Sequence, residues 1–360
     1  VELHCHSNYS YQEGASSIHE LLPRAVELGY PALALTDHDN LCGALEFSRA
    51  ARSLGIQPII GAEITLKGGF HITLLAESRQ GYGNLCQLIS AARLTTDGQK
   101  PELDSHLLKD YSDGLILLTG CRKGEVPSLV EQGRLDEADQ RVRRYIDWLG
   151  TRNVFLELQQ NLVSGDVQRN RQLIDIAQSL GVGIVATNNV HYHLRDRHQL
   201  HDCLVAIQHL KSLEESHRER RANSEFYMKS TEEMAILFHD HVEAISNTIH
   251  IAERCSGFDL IRDLGYSFPE SPVPGNFTQD GYLRYLCEQA AIRRYGGVAD
   301  RIKARLDEEF RLIRRHNLAG FFLIYHDIVQ LGREVMVDLG LVDRETPLEE
   351  NPPGRGRGSS

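Results

Sequence analysis

Over its first 190 residues the chain alternates short apolar runs with segments of helical period, and few architectures accept that alternation. Residues 1–5, 32–36, 58–66, 70–76, 114–119, 153–158 and 183–187 are predicted strands. Most are unbroken runs of Val, Ile, Leu and Ala, the composition of strands covered on both faces. Between them, residues 17–28, 41–54, 78–94, 135–149 and 167–180 repeat apolar side chains three and four apart, as a helix packing one face requires. Seven strands separated mainly by helices predict an α/β fold, a distorted seven-stranded (β/α) barrel. One link differs from the rest. Only Lys67-Gly68-Gly69 joins the third predicted strand to the fourth, a length that suits a hairpin and not a parallel crossover, so that pair is expected to be antiparallel.

After residue 194 the strand signal fades. Ser230 and Glu233 frame an S-x-x-E capping box that opens a helix over 231–239, and a second helix follows over 241–255. Pro269, Pro272, Pro274 and Gly275 mark a linker, and helices resume over 282–295, 299–316 and 321–338. The expected organisation is a domain over 1–260, with its barrel core over about 1–195 and a helical extension over 196–260. A linker over 261–280 and a second, truncated region over 281–360 complete it.

No run of 18 apolar residues is present, which excludes a membrane span of that kind, and no signal peptide is visible. Seven Cys without a C-x-x-C pair suit reduced thiols in the cytoplasm. Val1 in place of an initiator Met, and the stop after Gly358-Ser359-Ser360, read as a fragment of a longer protein. The net charge of −11 argues against a protein that coats nucleic acid without specificity, yet Tyr282 to Glu334 carries ten Arg/Lys against seven Asp/Glu. The basic run there, which includes Arg314 and Arg315, fits a solvated helix face about as well as a phosphate groove.

The chemistry concentrates at strand ends. His4-Cys5-His6 closes the first predicted strand, and residues i and i+2 of a strand share a face. Thr36-Asp37-His38-Asp39 closes the second, Glu63 lies near the end of the third, and His71 opens the fourth beside it across the hairpin. Cys121 follows the fifth, and Asn188-Asn189-Val190-His191 closes the seventh, while Glu13 sits in the loop after His6. Strand C-terminal ends and their loops build the mouth of an α/β barrel, so one mouth collects nearly every candidate metal ligand. A lone His at a strand end is more often capped or solvent-exposed than a ligand, but the same placement at six strand ends favours a metal site. His193 is a weaker candidate on the same strand face. The remaining His, His201 and His209 among them, read as surface or partly packed residues.

These residues together resemble the PHP (polymerase and histidinol phosphatase) domain. The stretches Ala34-Leu35-Thr36-Asp37-His38-Asp39-Asn40-Leu41-Cys42-Gly43, Gly61-Ala62-Glu63 and Ala186-Thr187-Asn188-Asn189-Val190-His191-Tyr192 are similar to that domain in bacterial DNA polymerase III α subunits of the C family, replicative or error-prone. The likeness continues through Asn223-Ser224-Glu225-Phe226-Tyr227-Met228-Lys229. It extends to Gly320-Phe321-Phe322-Leu323-Ile324-Tyr325-His326-Asp327-Ile328-Val329, which looks like the start of the polymerase palm. Gly356-Arg357-Gly358-Ser359-Ser360 looks like the opening of the family's nucleotide-binding motif, which adds Arg357 to Arg314 and Arg315 as expected DNA contacts.

The resemblance implies nine metal ligands, His4, His6, Glu13, His38, Glu63, His71, Cys121, Asn189 and His191. Glu63, His38 and His191 are the expected catalytic residues. His4, His6, Glu63 and Asn189 would hold a first ion, Glu63, His71 and Cys121 a second, and Glu13, His38 and His191 a third. Asp37 and Asp39 would orient the ligating His. Two to three zinc, manganese or iron ions suit the nitrogen-rich set, with magnesium also allowed. The implied activity is metal-dependent phosphoester hydrolysis, as a 3′–5′ proofreading exonuclease on DNA. Primer-template DNA and other replisome or repair subunits are the implied partners. The palm carboxylates should lie beyond Ser360, so this stretch alone should not polymerise DNA. Asn189, neutral where the family commonly has Asp, motivates an alternative: a domain that binds metal and only supports the polymerase. A histidinol-phosphatase-type phosphomonoesterase is the other alternative, and the polymerase-like tail weighs against it.

Overall fold

The computed structural model describes residues 1–94, 100–265 and 269–341. The chain divides into two compact units, Val1–Leu264 and Gly265–Ser360.

In the first unit the described residues form one curled six-stranded sheet, β1 (Ala32–Leu35), β2 (Gln57–Leu66), β3 (Phe70–Ala76), β4 (Leu115–Leu118), β5 (Val154–Gln159) and β6 (Gly183–Thr187), in sequential order. The β2–β3 hairpin is antiparallel, as its three-residue link requires, with Leu66 opposite Phe70 and Glu63 opposite Thr73. Because β3 alone is reversed among these strands, its other pairing, with β4, is antiparallel too, while β1–β2, β4–β5 and β5–β6 are parallel.

The expected strand over residues 1–5 is a correction: it is not a continuous strand. It makes isolated parallel bridges, Glu2 with Leu33 and Cys5 with Val190, and so links β1 to the segment that follows β6. Side chains explain the broken ladder. The Glu2 carboxylate accepts the backbone N–H groups of His4 (2.8 Å) and Asn188 (2.9 Å), and Thr36 Oγ1 accepts that of Cys5 at 2.9 Å.

Nine α-helices cover this unit among the described residues: α1 (Ile18–Glu27), α2 (Ala44–Ser53), α3 (Arg79–Leu94), α4 (Glu125–Glu131), α5 (Leu135–Leu149), α6 (Asp166–Leu180), α7 (His198–Gln208), α8 (Thr231–Leu237) and α9 (Val242–Cys255). Ser17 with Glu20 and Ser230 with Glu233 form capping boxes for α1 and α8. Inside the curl, Leu3, Ala32, Ala34, Ile59, Leu75, Ile116, Leu118 and Val185 pack with Ile251, Ala252 and Cys255 of α9. These strand positions lie toward one end of the sheet, so α9 fills that end. Polar residues are left to line the other.

The second unit holds α10 (Gln279–Tyr295), α11 (Asp300–Arg315) and α12 (Ala319–Asp338). Leu283, Phe310, Ala319 and Leu323 form its buried cluster.

Candidate metal centre

Glu63 is the hub. It sits within β2, buried, and its two carboxylate oxygens face four imidazoles. Oε1 lies 3.3 Å from His4 Nε2 and 3.1 Å from His71 Nδ1, and Oε2 lies 3.6 Å from His6 Nε2 and 3.0 Å from His38 Nδ1. Cys121 Sγ lies 3.7 Å from His71 Nδ1, and the Glu13 carboxylate lies 3.2 Å from His38 Nδ1. Two groupings place their donor atoms close enough for one ion each: His4, His6 and Glu63, and His38, Glu63 and His71.

Hydrogen bonding fixes which nitrogen of each ring carries the proton. The Ser10 hydroxyl donates to Asp37 at 2.7 Å, so toward His6 Nδ1, 3.0 Å away, it can only accept. His6 therefore holds its proton on Nδ1 and aims a lone pair from Nε2 at Glu63. The same logic holds for His38. Thr65 donates its hydroxyl to Asp39 at 2.7 Å and accepts from His38 Nε2 at 2.7 Å, which frees Nδ1. His4 donates Nδ1–H to Glu157 at 2.6 Å, and His191 donates Nδ1–H to the Glu13 carbonyl at 2.7 Å. Asp37 thus reaches His6 through Ser10, and Asp39 reaches His38 through Thr65 as well as directly, at 3.2 Å.

The electrostatics describe a cluster of imidazoles and carboxylates that share protons. Burial would raise the Glu63 carboxyl, but His71, His38 and His4 hold it well below the carboxylate range. Burial would lower His4, yet Glu157 and Glu63 lift it to about 10. His38, likewise opposed by burial, is lifted well above its usual value by Asp39, Glu13 and Glu63. Burial leaves His6 near 3. Despite the short distances, His4 Nε2, His6 Nε2, His38 Nδ1 and Glu63 Oε1 are buried and make no hydrogen bond. Buried polar atoms of this kind normally find partners. Four of them gathered around one carboxylate fit ligands for divalent ions, which would displace the cluster's protons on binding.

Asn189 and His191 stand to one side. Asn189 adopts φ 49°, and its Oδ1 lies 2.9 Å from His191 Nε2. The His191 ring stacks on His6 with centroids 4.5 Å apart. The cluster opens on a cavity of about 280 Å³ lined by Glu13, Glu63, His71, Cys121, Asn189 and His191, with Arg122, Lys123, Arg169, Arg220 and Arg221 around it.

Several neighbours escaped the sequence reading. Glu157 lies in β5 and, besides His4, accepts from Thr187 at 2.5 Å and Gln159 at 2.6 Å. Arg221 reaches His191 Nε2. His201, read as a surface or partly packed residue, is buried in the cavity wall with its ring edge-on to His191. His193 turns away, Nδ1 against Ser16 Oγ at 2.7 Å, and does not line the cavity. Arg314 and Arg315 end α11, exposed, with Arg314 4.0 Å from Asp280. Arg357 lies outside the described residues.

Residues 2–161 match the family model described as PHP domain, and this part of the chain is a PHP domain. Over most of its length it is also homologous to proteins named as bacterial DNA polymerases. It is 41% identical over 351 residues to the error-prone DNA polymerase of Symbiobacterium thermophilum, covering 93% of this chain and 32% of that protein. It is 36% identical over 375 residues to the DNA polymerase III subunit alpha of Treponema pallidum, covering 100% of this chain and 31% of the relative. For the subunit alpha of Thermus aquaticus the figures are 37% over 316 residues, 82% and 26%. The chain thus spans about a third of the length of the curated relatives it matches. Among the described residues no helix is long and apolar enough to cross a membrane.

Proposed function

We propose that this PHP domain is a metal-dependent phosphoesterase that acts as a 3′–5′ proofreading exonuclease on DNA, as part of a bacterial DNA polymerase III α-type protein. The observation that carries the reading is the convergence of buried, hydrogen-bond-free ligand atoms, His4 Nε2, His6 Nε2, His38 Nδ1 and Glu63 Oε1, beside a cavity rimmed with Arg and Lys. His4, His6 and Glu63 would hold one ion and His38, Glu63 and His71 a second, with Cys121 beside His71. Nitrogen and sulfur donors favour zinc, manganese or iron. When bound, such ions supply Lewis-acid polarisation of a phosphoryl oxygen and acidify water.

The chain's own residues do the rest. Each Glu63 oxygen faces one imidazole of each group, Oε1 those of His4 and His71 and Oε2 those of His6 and His38, so a single carboxylate ties the two positions together. Asp37 and Asp39 lock His6 and His38 in the tautomer that presents a lone pair to the centre. The basic rim draws a phosphodiester toward Glu63, His38 and His191, the residues assigned to catalysis. DNA is the partner in this reading, together with replisome or repair subunits. Arg314, Arg315 and Arg357 are proposed phosphate contacts, to be checked by salt-dependent primer-template binding before and after reversing Arg314 and Arg315.

The decisive experiment follows a 3′-labelled primer with manganese or zinc. The wild-type chain is expected to shorten it and His6→Ala to abolish the loss. Neutral Asn189 favours a second reading, a centre that binds metal but only supports the polymerase. Bound metal without primer shortening under any divalent ion would select that reading. Turnover of a small phosphomonoester with DNA left intact would select a histidinol-phosphatase-like enzyme.

A further inference from the structure

A trinuclear centre needs a third set of ligands, Glu13, His38 and His191, and here that set does not fit an ion. His38 Nδ1 lies 3.2 Å from Glu13, but it also lies 3.0 Å from Glu63 and its donor atom groups with those of Glu63 and His71, the second ion's set. His191 Nε2 is not free. Its Nδ1–H is committed to the Glu13 carbonyl, so Nε2 is an acceptor, and it faces a second acceptor, Asn189 Oδ1, at 2.9 Å. Neither atom has a hydrogen to give the other. A positive charge relieves two acceptors this close, and the Arg221 guanidinium supplies one, its Nη2 meeting His191 Nε2. Arg221 is held there by packing, with its guanidinium carbon 4.3 Å from the centroid of the Phe226 ring.

We propose that Arg221 takes the place of the third metal ion, so that this centre binds two divalent cations and one guanidinium. Asn189, which the resemblance assigns to the first ion, sits instead against His191, its Oδ1 2.9 Å from Nε2, and so belongs to the same arrangement. A carboxylate at 189 would be matched to a divalent ion, whereas a neutral amide oxygen suits a site already filled by a single positive charge. A second observation gives the guanidinium a task. Arg221 Nε is buried and has no hydrogen-bond partner in the protein. It lies in the wall of the cavity that Glu63 and His71 also line. A buried N–H without an acceptor beside a two-ion centre is suited to an anionic oxygen, and guanidinium binds phosphate with directed, charge-assisted hydrogen bonds. This last role rests on the phosphoesterase reading. The ion count does not.

The test is stoichiometry on the full 360-residue chain. Metal-free protein is titrated with Zn²⁺ calorimetrically, and bound zinc is counted by elemental analysis after gel filtration. Two ions per chain are expected for the wild type and for Arg221→Lys, which keeps the charge. Three are expected for the Asn189→Asp/Arg221→Met double variant, which removes the guanidinium and restores a carboxylate. Any count other than two in the wild type overturns the proposal, and so does a count of two in a double variant that melts cooperatively. The wild-type count stands by itself if the double variant does not fold. A count of two with no primer hydrolysis would sink the exonuclease and leave the guanidinium in place.

Discussion

At the scale of single residues, the centre depends on hydroxyl hydrogens that have only one place to go. Ser10 gives its hydrogen to Asp37 and therefore accepts from His6. Asp37→Asn offers Ser10 an amide N–H as well as an oxygen, so the hydroxyl can turn round and the His6 tautomer is no longer imposed. Outer partners of metal-binding His are worth about 10–100-fold in affinity. We expect Asp37→Asn to weaken zinc binding by about that factor, measured by competition with a chelating dye, and unchanged affinity would refute the relay. His201 gives a prediction in pH. Burial, then Arg221, lowers it to about 3 from an ordinary 6.5. The folded state holds it neutral while the unfolded state protonates it, so its contribution to stability is present above pH 6.5 and is lost as pH falls toward 3. His201→Gln should flatten the fall of Tm between those limits relative to the wild type, as followed by circular dichroism. Much of this site was legible, because His at strand ends stands out against apolar runs. Glu157 was not: inside Phe155-Leu156-Glu157-Leu158 it reads as one flaw in a strand, although a lone carboxylate in a strand covered on both faces is itself a signal. Arg221 was hidden in the charged stretch Glu214-Glu215-Ser216-His217-Arg218-Glu219-Arg220-Arg221, whose pattern is that of a solvated segment.

At the scale of elements, the reversed strand β3 places His71 beside Glu63, and the turn after β4 brings Cys121 back over it. That turn requires Gly120. Its φ is +86°, and a Cβ there would lie 2.6 Å from the His71 carbonyl oxygen. Gly120→Ala meets backbone, which cannot step aside as a flexible side chain does, so strain of about 1–3 kcal/mol is expected. Thermal melts should show a lower Tm for Gly120→Ala than for Gly133→Ala, where φ is +72° but nothing lies within 4 Å. Equal losses would show that φ alone sets the cost. The hairpin was readable because a three-residue link leaves one geometry. The antiparallel β3–β4 pair was not, since a helix between two strands reads as a parallel crossover unless the direction of the first strand is carried forward. The segment before β1 was read as a strand from its apolar residues, while the side chains of Glu2 and Thr36 accept the N–H groups of His4 and Cys5 that a continuous ladder would use. Two helices were missed: α4 carries Pro127, a breaker in mid-helix but tolerated in a first turn, and α7 begins with a polar His198-Gln199 pair.

At the scale of the molecule, the two units differ in what they can bury. Val1–Leu264 owns the sheet and the helices that cover it, and its largest buried cluster runs from Ala62 on β2 to Ala244 on α9. The candidate metal centre, the Asp37 and Asp39 beside it and Arg221 all lie inside it. The helices α10–α12 bury Leu283, Phe310, Ala319 and Leu323, while Phe322, Tyr325, Ile328, Leu331 and Val335 of α12 are exposed. Domains fold alone when their own core offsets the entropy of ordering the chain. By that criterion residues 1–264 have the core of an autonomous unit, whereas the described residues 269–341 bury one small cluster. The mildly basic balance between Tyr282 and Glu334 also falls outside the first unit, so removing the second should weaken any salt-sensitive hold on DNA without touching the ligands. Residues 1–264, expressed alone, should melt in one cooperative transition and bind zinc with the affinity of the full chain, whereas residues 265–360 should show helical signal without a cooperative melt. A shortened chain that loses zinc would mean that the ligand geometry depends on the second unit, and the division of labour drawn from the two cores would be wrong.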